Sequence, residues 1–138
     1  MNRYSATLQI SATPASIAGV LRNVSELPDW NPALRGVSAT VGPARRDHPY
    51  PVTTRLPGPG SLTYLSTDDE RVVWVLRAAG SVERAEWVLI PTRSATLVTH
   101  TMVHSGTVFA LLRSGLQQAP VLRLARLAAW MAQTEGTN

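Results

Sequence analysis

The chain contains no cysteine and no lysine. Without thiols there can be no disulfide framework, no thiolate metal site and no cysteine nucleophile. Because lysine is absent, all thirteen basic residues are arginine. Apart from Arg45-Arg46 they are scattered, and no basic run reaches the length that marks a phosphate-tracking surface. A net charge of +4 therefore reads as a solubility feature, and no nucleic-acid partner is expected. The sequence also lacks a long uninterrupted apolar run. The most apolar segment, residues 107–132, is broken by Arg113, Pro120, Arg123 and Arg126. The opening "MNRYSATLQI" lacks the apolar core of a signal peptide. Neither a membrane span nor secretion is expected, and a cytoplasmic location follows. No nucleotide-binding motif is present, since "LPGPGSL" is a turn without the helix that a phosphate loop requires.

What is present is an ordinary globular composition, with 44% hydrophobic and 16% charged residues over 138 positions. That length suits one domain, residues 1–138, closing one core. Residues 3–11, "RYSATLQIS", alternate apolar and polar side chains as a half-buried strand does. In "SATPASIAGVLRNV", Thr13 can cap a helix, Pro14 suits its first turn, and Ile17, Val20, Leu21 and Val24 fall on one face. A second short helical segment over Ser25–Asp29 ends in the Pro28 and Pro32 region. Six further strands follow: "LRGVSATV", "YPVTTRL", "SLTYLST", "RVVWVLRA", "SVERAEWVLI" and "ATLVTHTMVHS". The short turns between them can join only antiparallel neighbours. The chain then ends in one long amphipathic helix, with Pro120 as a kink or short break midway. This is an α+β architecture: a seven-stranded curved antiparallel sheet wrapped around a long C-terminal helix, with two short helices between strands 1 and 2.

The segments "SATPASIAGVLRNV" with "LPDWNP", then "AEWVLIP", "ATLVTHTMVHSG" and the terminal helix occur in an order that resembles the START-like (SRPBCC) superfamily and its helix-grip fold, most closely the polyketide cyclase/dehydrase-like branch. The resemblance covers nearly the whole chain. It implies a cavity between sheet and helix for a hydrophobic, polyketide-like or polycyclic molecule. It also implies, for an enzyme of this kind, cofactor-free cyclisation, dehydration or aromatisation. Two departures stand out: His104 occupies a place where similar sequences often carry an apolar aromatic residue, and the loop "GPARRDHPYP" has no evident counterpart.

Several residues are candidates for the chemistry. His100 and His104 share a strand face with Val98 and Met102. They lie about 13 Å apart along the strand, at ~3.3 Å per residue, too far to share a metal ion. If Leu89 pairs with Leu97, Glu86 lies opposite His100. A one-residue shift instead sets Trp87 opposite His100 and Glu83 opposite His104. Either carboxylate could orient an imidazole for general acid/base work, or the pair could be a plain surface ion pair. Tyr64, Trp74 and Arg77 form a second group that could hold ligand oxygens, with Asn31 assisting Tyr64. Trp30, Trp87, Val108, Leu112 and Leu116 complete the expected ligand-facing set, the tryptophans alternatively serving as packing. The expected partner is a hydrophobic small molecule, bound by a monomer or homodimer without cofactor or metal. The alternatives are a non-catalytic carrier or sensor using the same cavity, and a module whose Arg45-Arg46 loop docks an acidic protein surface.

Overall fold

A computed structural model describes residues 2–39, 42–111 and 113–135. Strand β1 (Asn2–Ile10) leads into helix α1 (Pro14–Leu21), a 3₁₀ turn (Val24–Glu26) and helix α2 (Leu27–Trp30). Strands β2 (Leu34–Val37), β3 (Pro49–Thr54), β4 (Gly60–Thr67), β5 (Arg71–Ala78), β6 (Ser81–Pro91) and β7 (Thr96–Ser105) follow. Helices α3 (Thr107–Leu111), α4 (Arg113–Leu116) and α5 (Ala119–Glu135) end the chain. The seven strands form one sheet in the order β1-β7-β6-β5-β4-β3-β2, with every neighbouring pair antiparallel.

Local chemistry accounts for the start of α1. The Thr13 Oγ1 accepts a hydrogen bond from the Ser16 backbone N–H, and Pro14 occupies the first turn, where its missing N–H costs nothing. Ile17, Ala18 and Leu21 bury the inner face of this helix. One long terminal helix with a kink or short break at Pro120 was expected; among the described residues the break falls at Gln117 and Gln118, and the long helix starts at Ala119. Pro120 explains that start: it has no N–H to give a preceding turn, but it fits the first turn of α5. No helix among the described residues is long and apolar enough to cross a membrane.

The sheet is curved rather than flat. Irregularities in register fall between Leu34 and Gly36 and between Tyr64 and Ser66, and such bulges bend a strand and increase its twist. On the concave side, α5 packs against β1, β7 and α2. Leu124, Leu127 and Met131 of α5 are buried there with Leu62, Trp74, Trp87 and Leu89 of the sheet.

The turn from β7 into α3 depends on one glycine. Gly106 has φ of +105°, and a Cβ there would sit 2.7 Å from the Ser81 Cα. A Gly106→Ala substitution should cost about 2 kcal/mol of unfolding free energy. By contrast, Gly19→Ala, on the exposed face of α1 with open space around the site, should stabilise by about 0.5–1 kcal/mol. Urea denaturation of the two variants checks both signs.

Candidate functional site

The β6–β7 register settles which carboxylate meets which imidazole. Trp87 pairs with His100 and Glu83 with His104, while Glu86 lies opposite Thr101. Alternation then sends Glu83, Ala85, Trp87 and Leu89 inward together with Val98, His100, Met102 and His104. Glu86 points to the opposite face, where its carboxylate accepts from Arg71 Nε at 2.8 Å. Its link to His100 is through the backbone, since the Glu86 carbonyl accepts from His100 Nδ1 at 3.1 Å. A surface ion pair between strands was one expectation for the histidine–carboxylate contact. The contact is instead buried, with the Glu83 and His104 side chains 2% and 1% exposed.

Glu83 is the centre of this buried network. His104 Nε2 donates to Glu83 Oε1 at 2.8 Å. Arg123, from α5, grips the same carboxylate with two bonds, Nη1 to Oε2 at 2.8 Å and Nη2 to Oε1 at 2.9 Å. Arg123 Nη1 also lies 3.5 Å from His100 Nε2. These partners fix both tautomers. A carbonyl and a carboxylate can only accept, so His100 carries its proton on Nδ1 and His104 on Nε2. Two stacked rings hold the imidazoles in place: Trp87 on His100 at 3.6 Å between centroids, and Phe109 on His104 at 4.4 Å.

Burial by itself pushes the Glu83 carboxyl up. The Arg123 charge and the hydrogen bonds from His104 and Arg123 outweigh it and hold the group well below the usual carboxylate range. Burial pushes His100 down from 6.5 to about 3, with the adjacent Arg123 charge adding to the effect. At neutral pH, His100 is therefore an uncharged imidazole beside an arginine–carboxylate pair.

A cavity of about 230 Å³ opens beside this network. Leu76, Ala78, Phe109, Leu116 and Leu122 provide much of its apolar wall, with Pro32, Ala33, Thr54 and Leu56 at the side nearest β2 and β3. Glu83 and Arg123 form its buried polar floor, and the exposed Arg55 stands at its edge. Arg123 engages three of the five N–H donors of a guanidinium, leaving two without an acceptor among the described residues.

Among the expected site residues, Glu83 and Leu116 border this cavity and the others that the structure describes do not. His100 and His104 sit behind Glu83 and Arg123. Tyr64 is fully buried and donates its hydroxyl to the Leu21 carbonyl, and burial raises its pKa far above the ordinary value. Trp74 is core, whereas Arg77, three residues further along β5, falls on the opposite, exposed face. Trp30, Trp74 and Trp87 pack on one another, at 5.6 Å for Trp30–Trp87 and 5.7 Å for Trp74–Trp87. Asn31 closes a turn, its Oδ1 accepting from the Ala33 N–H at 3.0 Å. Met102 is buried on the inner face and Val108 is half-buried. Leu112 lies outside the described residues.

The sequence reading missed Arg123 and Phe109. Arg123 had a signal: with Leu127 and Met131 it occupies positions i, i+4 and i+8 of one helix face, so it must share their burial. Phe109 had none beyond its size.

Two measurements test the network. Glu83→Gln and Arg123→Met should each cost about 3–5 kcal/mol, because each leaves a buried charge unpaired. The double variant should cost clearly less than the sum, by more than about 1 kcal/mol in a urea-unfolding cycle. The second measurement is pH dependence. His100 has a folded pKa below its unfolded value, so its contribution is complete above about pH 6.5 and is lost as pH falls toward 3, at up to about 1.4 kcal/mol per unit. Glu83, also depressed, adds its own loss only below about pH 4.3. A His100→Asn variant should flatten the stability profile between about pH 6.5 and 4.5; an unchanged slope there would exclude His100 as its source.

No protein-family model matches the sequence, and no curated protein matches it. Solved structures do. A START superfamily protein from Mycobacterium smegmatis superposes with a TM-score of 0.72 at 16% identity, covering 96% of this chain and 98% of that one. DynU16, a protein of the dynemicin biosynthetic locus, gives 0.73 at 13% identity, covering 96% and 48%. The di-domain ARO/CYC StfQ of the steffimycin biosynthetic pathway gives 0.72 at 11% identity, covering 97% and 51%. The chain thus spans about half the length of those two. The likeness shows the helix-grip fold.

Proposed function

We propose that this chain binds a compact hydrophobic molecule bearing an oxygen acceptor, and holds it without chemical change, as a carrier or sensor. The observation that carries this reading is the composition of the cavity's polar floor. Among the described residues Glu83 and Arg123 are its only charged buried members, and each neutralises the charge of the other. A carboxylate held so far below its usual range is a weak base, and both of its oxygens are occupied. Neither histidine borders the space where a reacting atom would sit. The site therefore offers hydrogen-bond donors from Arg123 and no group poised to move a proton.

Size narrows the ligand. A buried cavity of about 150 Å³ holds benzene, and pockets for drug-sized ligands run from about 300 Å³ upward. At about 230 Å³, the space beside the Glu83–Arg123 floor suits one or two rings. Fold neighbours drawn from biosynthetic pathways support a hydrophobic ligand in this architecture, but the dimensions belong to this chain.

The test combines a titration with recovery of the ligand. 2-Naphthol should quench the intrinsic tryptophan fluorescence, and Ala33→Phe, which adds a ring at the half-buried cavity wall, should weaken binding by about tenfold. Any molecule that co-purifies and is identified by native mass spectrometry should be returned unchanged after incubation. Conversion of that molecule at a rate abolished by the double His100→Gln, His104→Gln variant would establish acid–base catalysis and overturn the proposal. Equal naphthol binding by wild type and Ala33→Phe would remove the cavity from it.

A further inference from the structure

We infer that the ligand of this cavity is an anion, an apolar one- or two-ring carboxylate whose acidic group sits at the mouth against Arg55 while its inner end meets Arg123. The inference rests on the binding reading above and extends it to the ligand's charge.

Charge accounting along the cavity supports it. The lining includes two arginines and one carboxylate. Arg123 and Glu83 neutralise each other at the buried floor, which leaves the positive charge of Arg55. Arg55 forms no ion pair or side-chain hydrogen bond among the described residues, and unlike the other unpaired arginines it borders the cavity. The cavity mouth is thus positive, with no second carboxylate among the described lining residues to balance Arg55.

A second feature has the same sign. Ala119, the first residue of α5, also borders the cavity. The N-terminus of a 17-residue helix presents the positive end of its dipole, and here no acidic residue lies in the first turn. The cation and the helix end therefore face the same opening.

Depth assigns the two ends of the ligand. Arg123 is 4% exposed and Glu83 2%, so an anionic group pushed to the floor would lose its hydration and meet the Glu83 carboxylate. A neutral carbonyl or hydroxyl oxygen can accept from the two unengaged Arg123 donors there without that repulsion. At the mouth, a carboxylate keeps part of its hydration and gains Arg55. Between the ends, Leu76, Phe109, Leu116 and Leu122 enclose an apolar body.

The experiment compares 6-hydroxy-2-naphthoate with its methyl ester, by tryptophan fluorescence or calorimetry at pH 7, on wild type and Arg55→Gln. Arg55 is exposed, so its substitution leaves the core untouched. The acid should bind wild type about fivefold more tightly than the ester, equivalent to about 1 kcal/mol for a rim ion pair. That preference should shrink in 0.5 M salt and fall by more than half in Arg55→Gln, the remainder coming from the helix end. Equal affinities in wild type, or an acid preference undiminished in Arg55→Gln, would overturn the inference while leaving cavity binding intact. Failure of both naphthyl probes to bind would instead overturn the binding reading on which it rests.

Discussion

Glu83 of β6 and Arg123 of α5 place opposite charges where their side chains are only 2% and 4% exposed, and neither can remain there without the other. Such a pair does little for net stability, because the attraction is largely spent on desolvation. Its effect is directional. The two parallel bonds require the guanidinium plane and the carboxylate plane to coincide. A one-residue rotation of α5, about 100°, would break both and bury two uncompensated charges. The pair thereby fixes the rotation of the long helix on a sheet whose other contacts, among leucines, methionine and tryptophans, are less particular about angle.

Aromatic residues of the sheet and α2 fill much of the interior. A continuous series of rings runs across the concave face: Tyr50 to Tyr64 at 6.5 Å, Tyr64 to Trp74 at 5.5 Å, then Trp87 and Trp30. These rings occupy the space where a helix-grip fold can keep a large hollow. The cavity bordered by Phe109, Leu116 and Ala119 stays open beside the Glu83–Arg123 pair, and it measures about 230 Å³. The fold sets where a cavity can be, while side-chain volume sets what the cavity can hold.

Much of the architecture was legible because the sequence carries clear periods. β1, β6 and β7 alternate, and the Thr13-Pro14 start of α1 can be read directly. The register of β6 against β7 was left one residue open because the "IPTRSA" turn alone does not select it. Parity could have closed the question: Leu89 and Trp87 must point inward, so Glu83 does too, and Glu86 cannot. The same argument separates Arg77 from Trp74. Arg123 could be placed on the buried face of α5 by spacing, and a buried arginine demands an inward carboxylate, for which Glu83 is the candidate on β6. The size of the cavity was not legible by any such argument. It is the remainder after some two dozen side chains have packed, and a remainder has no period.

The proposed function rests on how the network divides its members between structure and surface. His104 holds one oxygen of Glu83, Glu83 holds the plane of Arg123, and Arg123 borders the cavity. The histidines, which look like the chemical groups in the sequence, reach the cavity only through Glu83, Arg123 and Phe109, which in the proposed reading makes them positioning residues. Their stacking on Trp87 and Phe109 ties that positioning to the sheet and to α3. An arginine held this rigidly presents its spare donors at fixed angles, so a ligand oxygen gains a hydrogen bond without ordering a flexible side chain. Rigidity of this kind favours selective retention of one small molecule, and it works against proton transfer, which would require the same groups to change charge inside a volume that tolerates only their present pairing.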